Sequence, residues 1–191
     1  GESGGKAVAE VLFGDYNPGG RLPLTYYKSL DELPPFDDYD ITKGRTYKYF
    51  KGEVLYPFGY GLSYTSFKYS NLQVEDGEDE INVSFQLKNT GKCAGDEVAQ
   101  VYVKLPERNE VMPVKELKGF ERVSLKGGES KKVTVKLRKD LLRYWDEEQG
   151  RFVYPSGDYM IMLGASSADI RLQKIVPVLQ KDNYLMPHPE K

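Results

Sequence analysis

Cysteine, histidine and tryptophan each occur only once in this 191-residue chain, which restricts its chemistry. With Cys93 alone, no disulfide can form within the chain, and we interpret it as a structural or merely tolerated thiol. With His188 as the sole histidine, neither a histidine-based metal site nor a Ser-His-Asp triad is credible. Trp145 follows two leucines, which predicts a core or inter-sheet anchor rather than an exposed ring on which a sugar could stack.

Net charge and long apolar runs are also scarce. The formal charge of -2 gives no electrostatic reason to expect nucleic acid or an anionic membrane as a partner. No apolar run approaches the roughly 20 residues of a membrane helix. No signal peptide is visible and the chain does not begin with Met, which favours a fragment or a processed chain. Tyrosine, by contrast, occurs 15 times, which is typical of strands and also of carbohydrate or protein contacts.

The first 27 residues predict one helix and one strand, too little to form a core. Apolar residues at positions 7, 8, 11 and 12 recur at helical spacing, Gly14 suits the end of the helix, and residues 21–26 suit a short strand. Isolated helices of two or three turns are marginal in water. We therefore expect residues 1–27 to be the remnant of a larger domain, with the apolar face of the helix exposed in this chain.

Residues 28–67 hold no regular period and are predicted to form a linker, called the strap, that crosses between domains and packs its aromatic residues against both. An acidic cluster of Asp37, Asp38 and Asp40 lies within the strap. We interpret it as a solvated loop. The alternative is a catalytic or calcium-binding pair, although the glycine-spaced loop of an EF-hand is missing.

From residue 68 to 178 the apolar residues recur with a period of two. Strands are predicted at residues 81–87, 98–103, 117–125, 132–137, 152–154, 158–164 and 170–178. About seven short strands with regular turn signals indicate an antiparallel β-sandwich, and the lack of a cysteine pair favours the fibronectin type III-like branch over antibody domains. The predicted fold class is therefore mainly β, and residues 179–191 form a C-terminal tail.

Several ordered motifs resemble family 3 glycoside hydrolases. Residues 4–23 (GGKAVAEVLFGDYNPGGRLP) resemble the end of the family's second domain, an α/β sandwich. Residues 44–50 (GRTYKYF) and 56–65 (YPFGYGLSYT) resemble the segment that leads to the third domain. The runs at 88–91 (KNTG), 95–98 (GDEV), 116–120 (ELKGF) and 157–164 (GDYMIMLG) resemble its fibronectin type III-like domain. The GRTY run is similar to β-xylosidase and β-glucosidase members.

The resemblance implies that the parent is a retaining, exo-acting β-glycosidase with an N-terminal barrel, an α/β sandwich domain and a fibronectin-like domain. Its nucleophile and acid/base motifs are not found in this sequence, so the resemblance implies no catalytic residue, metal or cofactor here. The chain would stabilise the catalytic domains, which are its implied partners, and meet a β-linked oligosaccharide only through the parent. The parent would be periplasmic or secreted.

Three strap residues are candidates for lying close to substrate: Arg45, Tyr47 and Tyr49. An arginine flanked by tyrosines could border a sugar subsite in an intact enzyme. The alternative is that these residues anchor the strap to its neighbouring domains. A second function also stays open, that of a stand-alone carbohydrate- or protein-binding sandwich, which would show a row of exposed aromatic residues on one sheet face.

Overall fold

The computed structural model describes residues 2–107, 111–146 and 150–178, and its first part is a short helix followed by the strap. Helix α1 (Gly4–Phe13) ends at Gly14, whose left-handed φ of 84° and N–H bond to Val11 O close the helix as predicted. No residue of α1 is buried. Val8 and Leu12 are 59% and 74% exposed, which confirms the exposed apolar face.

The strand predicted at residues 21–26 is wrong in extent. Strand β1 covers only Tyr26–Tyr27 and pairs with β2 (Val54–Tyr56) of the strap. Residues around Leu22 instead bond to an irregular segment, since Leu22 N–H donates to Tyr60 O and Leu22 O accepts from Gly59 N–H. Pro23 has no N–H with which to extend a ladder.

The strap also contains regular structure that periodicity did not predict. A 3-10 turn spans Ile41–Lys43, and a single helical turn, α2, spans Thr46–Tyr49. Both are shorter than the window over which a hydrophobic period can be recognised. The strap is therefore a series of short elements rather than an extended linker.

The remainder is an antiparallel sandwich, which confirms the predicted mainly β class. Its strands are β3 (Phe67–Asp76), β4 (Glu80–Asn89), β5 (Gly95–Lys104), β6 (Glu116–Leu125), β7 (Ser130–Arg138), β10 (Gly157–Gly164) and β11 (Ile170–Val178). One sheet has the order β3-β4-β7 and the other has the order β11-β10-β5-β6. A hairpin of β8 (Tyr144–Asp146) and β9 (Arg151–Val153) lies on the crossover from β7 to β10. The domain boundaries placed after residues 27, 67 and 178 stay predictions.

Alternation along the strands fills the space between the sheets. On β4, Ile81, Val83, Phe85 and Leu87 face inward and are at most 1% exposed. Burying each such side chain contributes about 1.5–3 kcal/mol before chain entropy is counted. The intervening residues of β4 are polar and face solvent, so the period of two in the sequence follows from one-sided burial.

Strand β5 departs from this pattern because both of its faces are covered. Val101 faces the core, while Gln100 and Tyr102 point outward and are nevertheless at most 2% exposed. The strap covers them: Tyr47 makes an edge contact with Tyr102, and Gly59 O accepts a hydrogen bond from Gln100 Nε2. The sandwich therefore has one outer face that is completed by the strap.

The prediction of Trp145 as a core or inter-sheet anchor is wrong. Trp145 is 51% exposed and sits opposite Phe152 in the β8–β9 hairpin. Successive side chains of a strand point to opposite faces of the hairpin. Val153 faces the core, so its neighbour Phe152 and the cross-strand partner Trp145 lie on the outer face. Leu142, just before the hairpin, fills the core position instead.

Candidate functional site: a joint between two regions

Residues 56–65, called the joint, connect the opening segment to the sandwich. On one side, backbone bonds of 2.8 Å link Gly59 and Tyr60 to Leu22. On the other side, Phe58 O accepts from Ser167 N–H at 2.9 Å, and Gln100 Nε2 donates to Gly59 O at 3.0 Å. The joint therefore fixes the opening segment against strand β5.

Gly59 is required at the centre of the joint. Its φ is 81°, in the left-handed region that favours glycine. A Cβ at this position would also overlap Gln100 Oε1. The Gln100 amide is held in place, because Oε1 accepts from Tyr102 OH at 2.6 Å and Nε2 donates again, to Ala165 O at 2.7 Å.

Asn17 ties three segments together through one side-chain amide. Its Oδ1 accepts from Ser63 Oγ at 3.1 Å and from Tyr64 N–H at 2.8 Å, while Nδ2 donates to Ala94 O at 2.8 Å. Tyr64 OH in turn donates to Val11 O at the end of α1, at 2.5 Å. The position of α1 is thus set by the joint, although the helix buries none of its own residues.

A buried carboxylate forms the charged centre of this region. Glu97 lies at the start of β5, where Arg21 Nη2 donates to Oε2 at 2.8 Å and Tyr69 OH donates to Oε1 at 2.6 Å. Burial raises the pKa of Glu97 above its ordinary value, although the bonds from Tyr69 and Arg21 oppose the shift. Burial beside Glu97 likewise raises the pKa of the Tyr69 hydroxyl. A polar cavity of about 520 Å³ adjoins this cluster.

The structure places Arg45 in contact with the strap itself. Its Nη2 donates to the carbonyl oxygens of Pro34 and Pro35 at 3.2 and 2.6 Å. The next residue, Thr46, has an unusual φ of 61°, and its N–H donates to Tyr27 OH at 2.6 Å. Arg45 therefore holds two turns of the strap together.

Tyr47 and its neighbours connect the strap to strand β6. The Tyr47 ring stacks on Phe58 at 4.3 Å, and its OH accepts from Leu117 N–H at 3.0 Å. Lys48 Nζ pairs with Glu116 at 2.6 Å. Tyr49 is half-buried, and burial raises the pKa of its hydroxyl and that of Tyr47. These contacts fit the anchoring alternative for Tyr47, while proximity of the three candidates to substrate stays a prediction.

The acidic cluster has a local structural role. Asp40 Oδ1 accepts from Thr42 N–H at 3.0 Å and so caps the 3-10 turn, and Asp38 pairs with Lys43 at 2.7 Å. The side-chain bond from Lys43 lowers the pKa of Asp38, and that from Thr42 lowers the pKa of Asp40. Across the residues that the structure describes, no three His, Cys, Asp or Glu side chains are grouped so that they could hold a metal ion.

The sequence does not predict the roles of Glu97 and Gln100, which hold Arg21 and Gly59 against the sandwich. Both are polar residues of a strand that is otherwise rich in apolar residues. Buried polar side chains need partners, so their presence within such a strand was an available signal for a covered outer face. Their partners, 76 and 41 residues away, could not be read from spacing.

Two known family models match the chain, one before the sandwich and one within it. The family model for the glycosyl hydrolase family 3 C-terminal domain matches residues 1–64, which end within the joint. The model for the fibronectin type III-like domain matches residues 97–167 of the sandwich. The chain corresponds to the C-terminal region of glycoside hydrolase family 3. Its sandwich is the predicted fibronectin type III-like domain.

Relatives in this family are much longer than the chain. A xylan 1,4-beta-xylosidase of Xylanibacter ruminicola is 44% identical over 94% of this chain, which spans 21% of that protein. A thermostable beta-glucosidase B of Acetivibrio thermocellus is 41% identical over 93% of the chain, which spans 26% of it. The structure of beta-glucosidase 3B from Thermotoga neapolitana in complex with glucose matches 93% of the chain, with a TM-score of 0.86 and 35% identity, and the chain spans 27% of it.

None of the helices in the described part of the chain is both long and apolar enough to span a membrane. Those helices are α1, of 10 residues, and the single turn α2. A membrane helix needs about 20 residues.

Proposed function

We propose that this chain is the non-catalytic C-terminal region of a retaining, exo-acting β-glycosidase, either a β-glucosidase or a β-xylosidase, and that it stabilises the catalytic domains of that enzyme. The observation that carries the proposal is the apolar surface left uncovered before residue 67. It includes Leu12 and Phe13 of α1 and Leu30, Phe36 and Tyr39 of the strap, all strongly exposed. Such clusters of exposed apolar residues mark interaction surfaces.

The strap suits a stabilising role because its two sides differ. One side is fixed to the sandwich through Tyr47, Lys48 and Gly59. The other side presents Phe36 and Tyr39 outward. A segment held on one side by a sandwich can support a neighbouring domain on the other, so we expect the missing partners to be the barrel and the α/β sandwich domain of the same protein.

The hydrogen bonds of the acidic cluster argue against an acid/base role for Asp38 and Asp40. Retaining hydrolysis uses two carboxyl groups about 5–5.5 Å apart, one of which must hold a proton at working pH. Hydrogen bonds instead lower the pKa values of Asp38 and Asp40, which suits acceptor-only carboxylates. We therefore expect a β-linked oligosaccharide to be hydrolysed only by the parent, which we expect to be periplasmic or secreted.

The alternative of a stand-alone binding module finds less support. Exposed aromatic residues are spread over the strap, β6 and the β8–β9 hairpin rather than forming a row along one sheet face. A free module would also have no use for residues 1–64, which match the family 3 C-terminal domain.

The proposal is tested by assaying the purified chain and the full-length enzyme on nitrophenyl β-xyloside and β-glucoside. We expect turnover by the full-length enzyme and none by the chain. Turnover by the chain alone would overturn the non-catalytic role.

The stabilising role is tested with Leu12→Ser in both proteins. Since Leu12 is exposed in the chain, we expect its unfolding free energy to change by less than about 0.5 kcal/mol. In the full-length enzyme, where Leu12 would be buried, we expect a loss of about 2–5 kcal/mol. The matched control is Leu141→Ser, which alters an exposed leucine of the sandwich and should change neither protein. An unaltered full-length Leu12→Ser enzyme would contradict the proposed docking.

A further inference from the structure

The β8–β9 hairpin exposes two large aromatic rings next to each other. Trp145 and Phe152 are directly paired across the hairpin and are 51% and 61% exposed. Their ring centroids lie 5.3 Å apart at an interplanar angle of 78°, so the rings form a corner rather than a flat surface. Exposed apolar surface of this kind indicates a ligand or a partner.

The aromatic corner continues into a cavity. Arg143 lies two residues before Trp145, just outside β8, and Tyr154 lies two residues after Phe152, where it is buried in the core. The Arg143 guanidinium carbon lies 6.0 Å from the Phe152 ring centroid. Arg143 and Tyr154 also line a cavity of about 330 Å³. Arg143 therefore connects the ring pair to the cavity, although neither ring lines the cavity itself.

Polar groups of both signs line this cavity. They are Asp79, Glu80, Arg138, Lys139, Asp140 and Arg143. The cationic groups are held in place: Lys139 pairs with Asp76 at 2.6 Å, Arg138 pairs with Asp140, and Arg143 Nε donates to Asp140 O at 2.9 Å. Three acidic and three basic side chains leave no strong net field, so the lining favours a neutral ligand that both donates and accepts hydrogen bonds.

We propose that this corner and its cavity bind a terminal pyranose ring of a β-linked oligosaccharide. A pyranose presents an apolar C–H face to an aromatic ring and hydroxyl groups around its rim, which matches rings bordered by carboxylates and guanidinium groups. The cavity volume is at the lower end for small-molecule sites, about 300–1,000 Å³, which suits one sugar ring. Two rings expose too little area for a stable protein interface.

The location makes this site separate from the proposed docking surfaces. The joint lies at the end of the sheet where β3 begins, at Phe67. The hairpin lies at the opposite end, because it follows Arg138, the last residue of β7, which pairs with Glu80. A sugar bound here would hold one end of a substrate chain away from α1 and the strap. The inference takes its β-linked sugar from the proposed function, but it does not depend on the proposed stabilising role.

Tryptophan fluorescence reports directly on the site, because Trp145 is the only tryptophan in the chain. The complete chain is titrated with xylotetraose and, separately, with cellotetraose. We expect a saturable shift of Trp145 emission with at least one of them, and the stronger of the two identifies the preferred sugar. An absence of any change up to 10 mM (on the order of the weakest useful affinities) with both sugars would overturn the proposal.

Variants then test whether the aromatic corner is responsible. Phe152→Ala should weaken binding about tenfold, as expected for the loss of one aromatic contact, and Trp145→Ala should abolish the binding heat of the same tetrasaccharide in calorimetry. The matched control is Phe120→Ala, since Phe120 is 62% exposed on β6 and should leave both readouts unchanged. Equal loss in all three variants would show that the aromatic corner is not the binding site, and an emission shift that depends on protein concentration alone would indicate a second copy of the chain as the occupant. Either outcome would overturn the proposal.

Discussion

Removal of the Arg21 guanidinium tests whether the Arg21–Glu97 ion pair beside the joint is shielded from water. The variant Arg21→Met keeps most of the side-chain length and leaves Glu97 with the Tyr69 hydroxyl as its remaining side-chain donor. The side chains of Arg21 and Glu97 are 11% and 5% exposed. Breaking a buried pair by removing one partner costs about 3–5 kcal/mol, so we expect a loss of that size in unfolding free energy at pH 7.

The loss should depend on pH in a direction that the buried carboxyl determines. Burial already raises the pKa of Glu97 above 4.5 in the folded chain, and removal of Arg21 raises it further. A raised folded pKa means that the native state holds the proton more tightly than the unfolded state, so the contribution of Glu97 to stability is greatest below pH 4.5 and declines as pH rises through its folded pKa. The cost of Arg21→Met should therefore be largest at neutral pH and smaller at pH 5.

Urea unfolding followed by circular dichroism at pH 7 and pH 5 measures both effects. The double variant with Arg21→Met and Glu97→Gln should recover part of the loss, because it no longer buries an unpaired charge. Arg122→Met is the matched control, since Arg122 pairs with Asp96 but is 52% exposed, and exposed pairs contribute about 0–1 kcal/mol. A cost for Arg21→Met below about 1 kcal/mol, equal at both pH values, would show that the pair is solvated and refute the reasoning.

Two further substitutions test the joint and the strap. Gly59→Ala should destabilise the chain by about 1–3 kcal/mol more than Gly128→Ala, since both glycines have φ near 80° but only Gly59 faces Gln100; equal losses in urea unfolding would contradict the close approach. Tyr47→Phe leaves Leu117 N–H without its acceptor and should cost about 1–3 kcal/mol, with faster hydrogen exchange at Leu117, whereas the exposed control Tyr39→Phe should change neither. Unchanged stability of Tyr47→Phe, with an altered KM in the full-length enzyme, would instead favour a substrate-proximal role.

The sandwich could be predicted from sequence because one-sided burial imposes a period of two. Strand β4 was predicted at residues 81–87 and spans Glu80–Asn89. The same reasoning failed at Trp145, since the crossover geometry, rather than the neighbouring leucines, decides which side of the hairpin faces the core. It also missed α2, because four residues are too few to show a helical period.

The joint was recognisable as a motif, but its chemistry was not. Glycine and proline in residues 56–65 indicated an irregular connection. Glycine is needed at position 59 because Gln100 lies against it, and Glu97 neutralises the charge of Arg21. Both contacts join residues that are far apart in sequence. Such pairs are products of the tertiary fold, so sequence spacing carries no information about them.

The covered outer face of β5 has a consequence for moving the fibronectin-like sandwich between proteins. A truncated chain that began at residue 68 would remove the Tyr47 ring from Tyr102 and the Gly59 carbonyl from Gln100, and would expose both side chains to water. Grafts of this sandwich should therefore carry residues 28–67 with it, and recombination between relatives is expected to succeed more often when both segments come from the same parent.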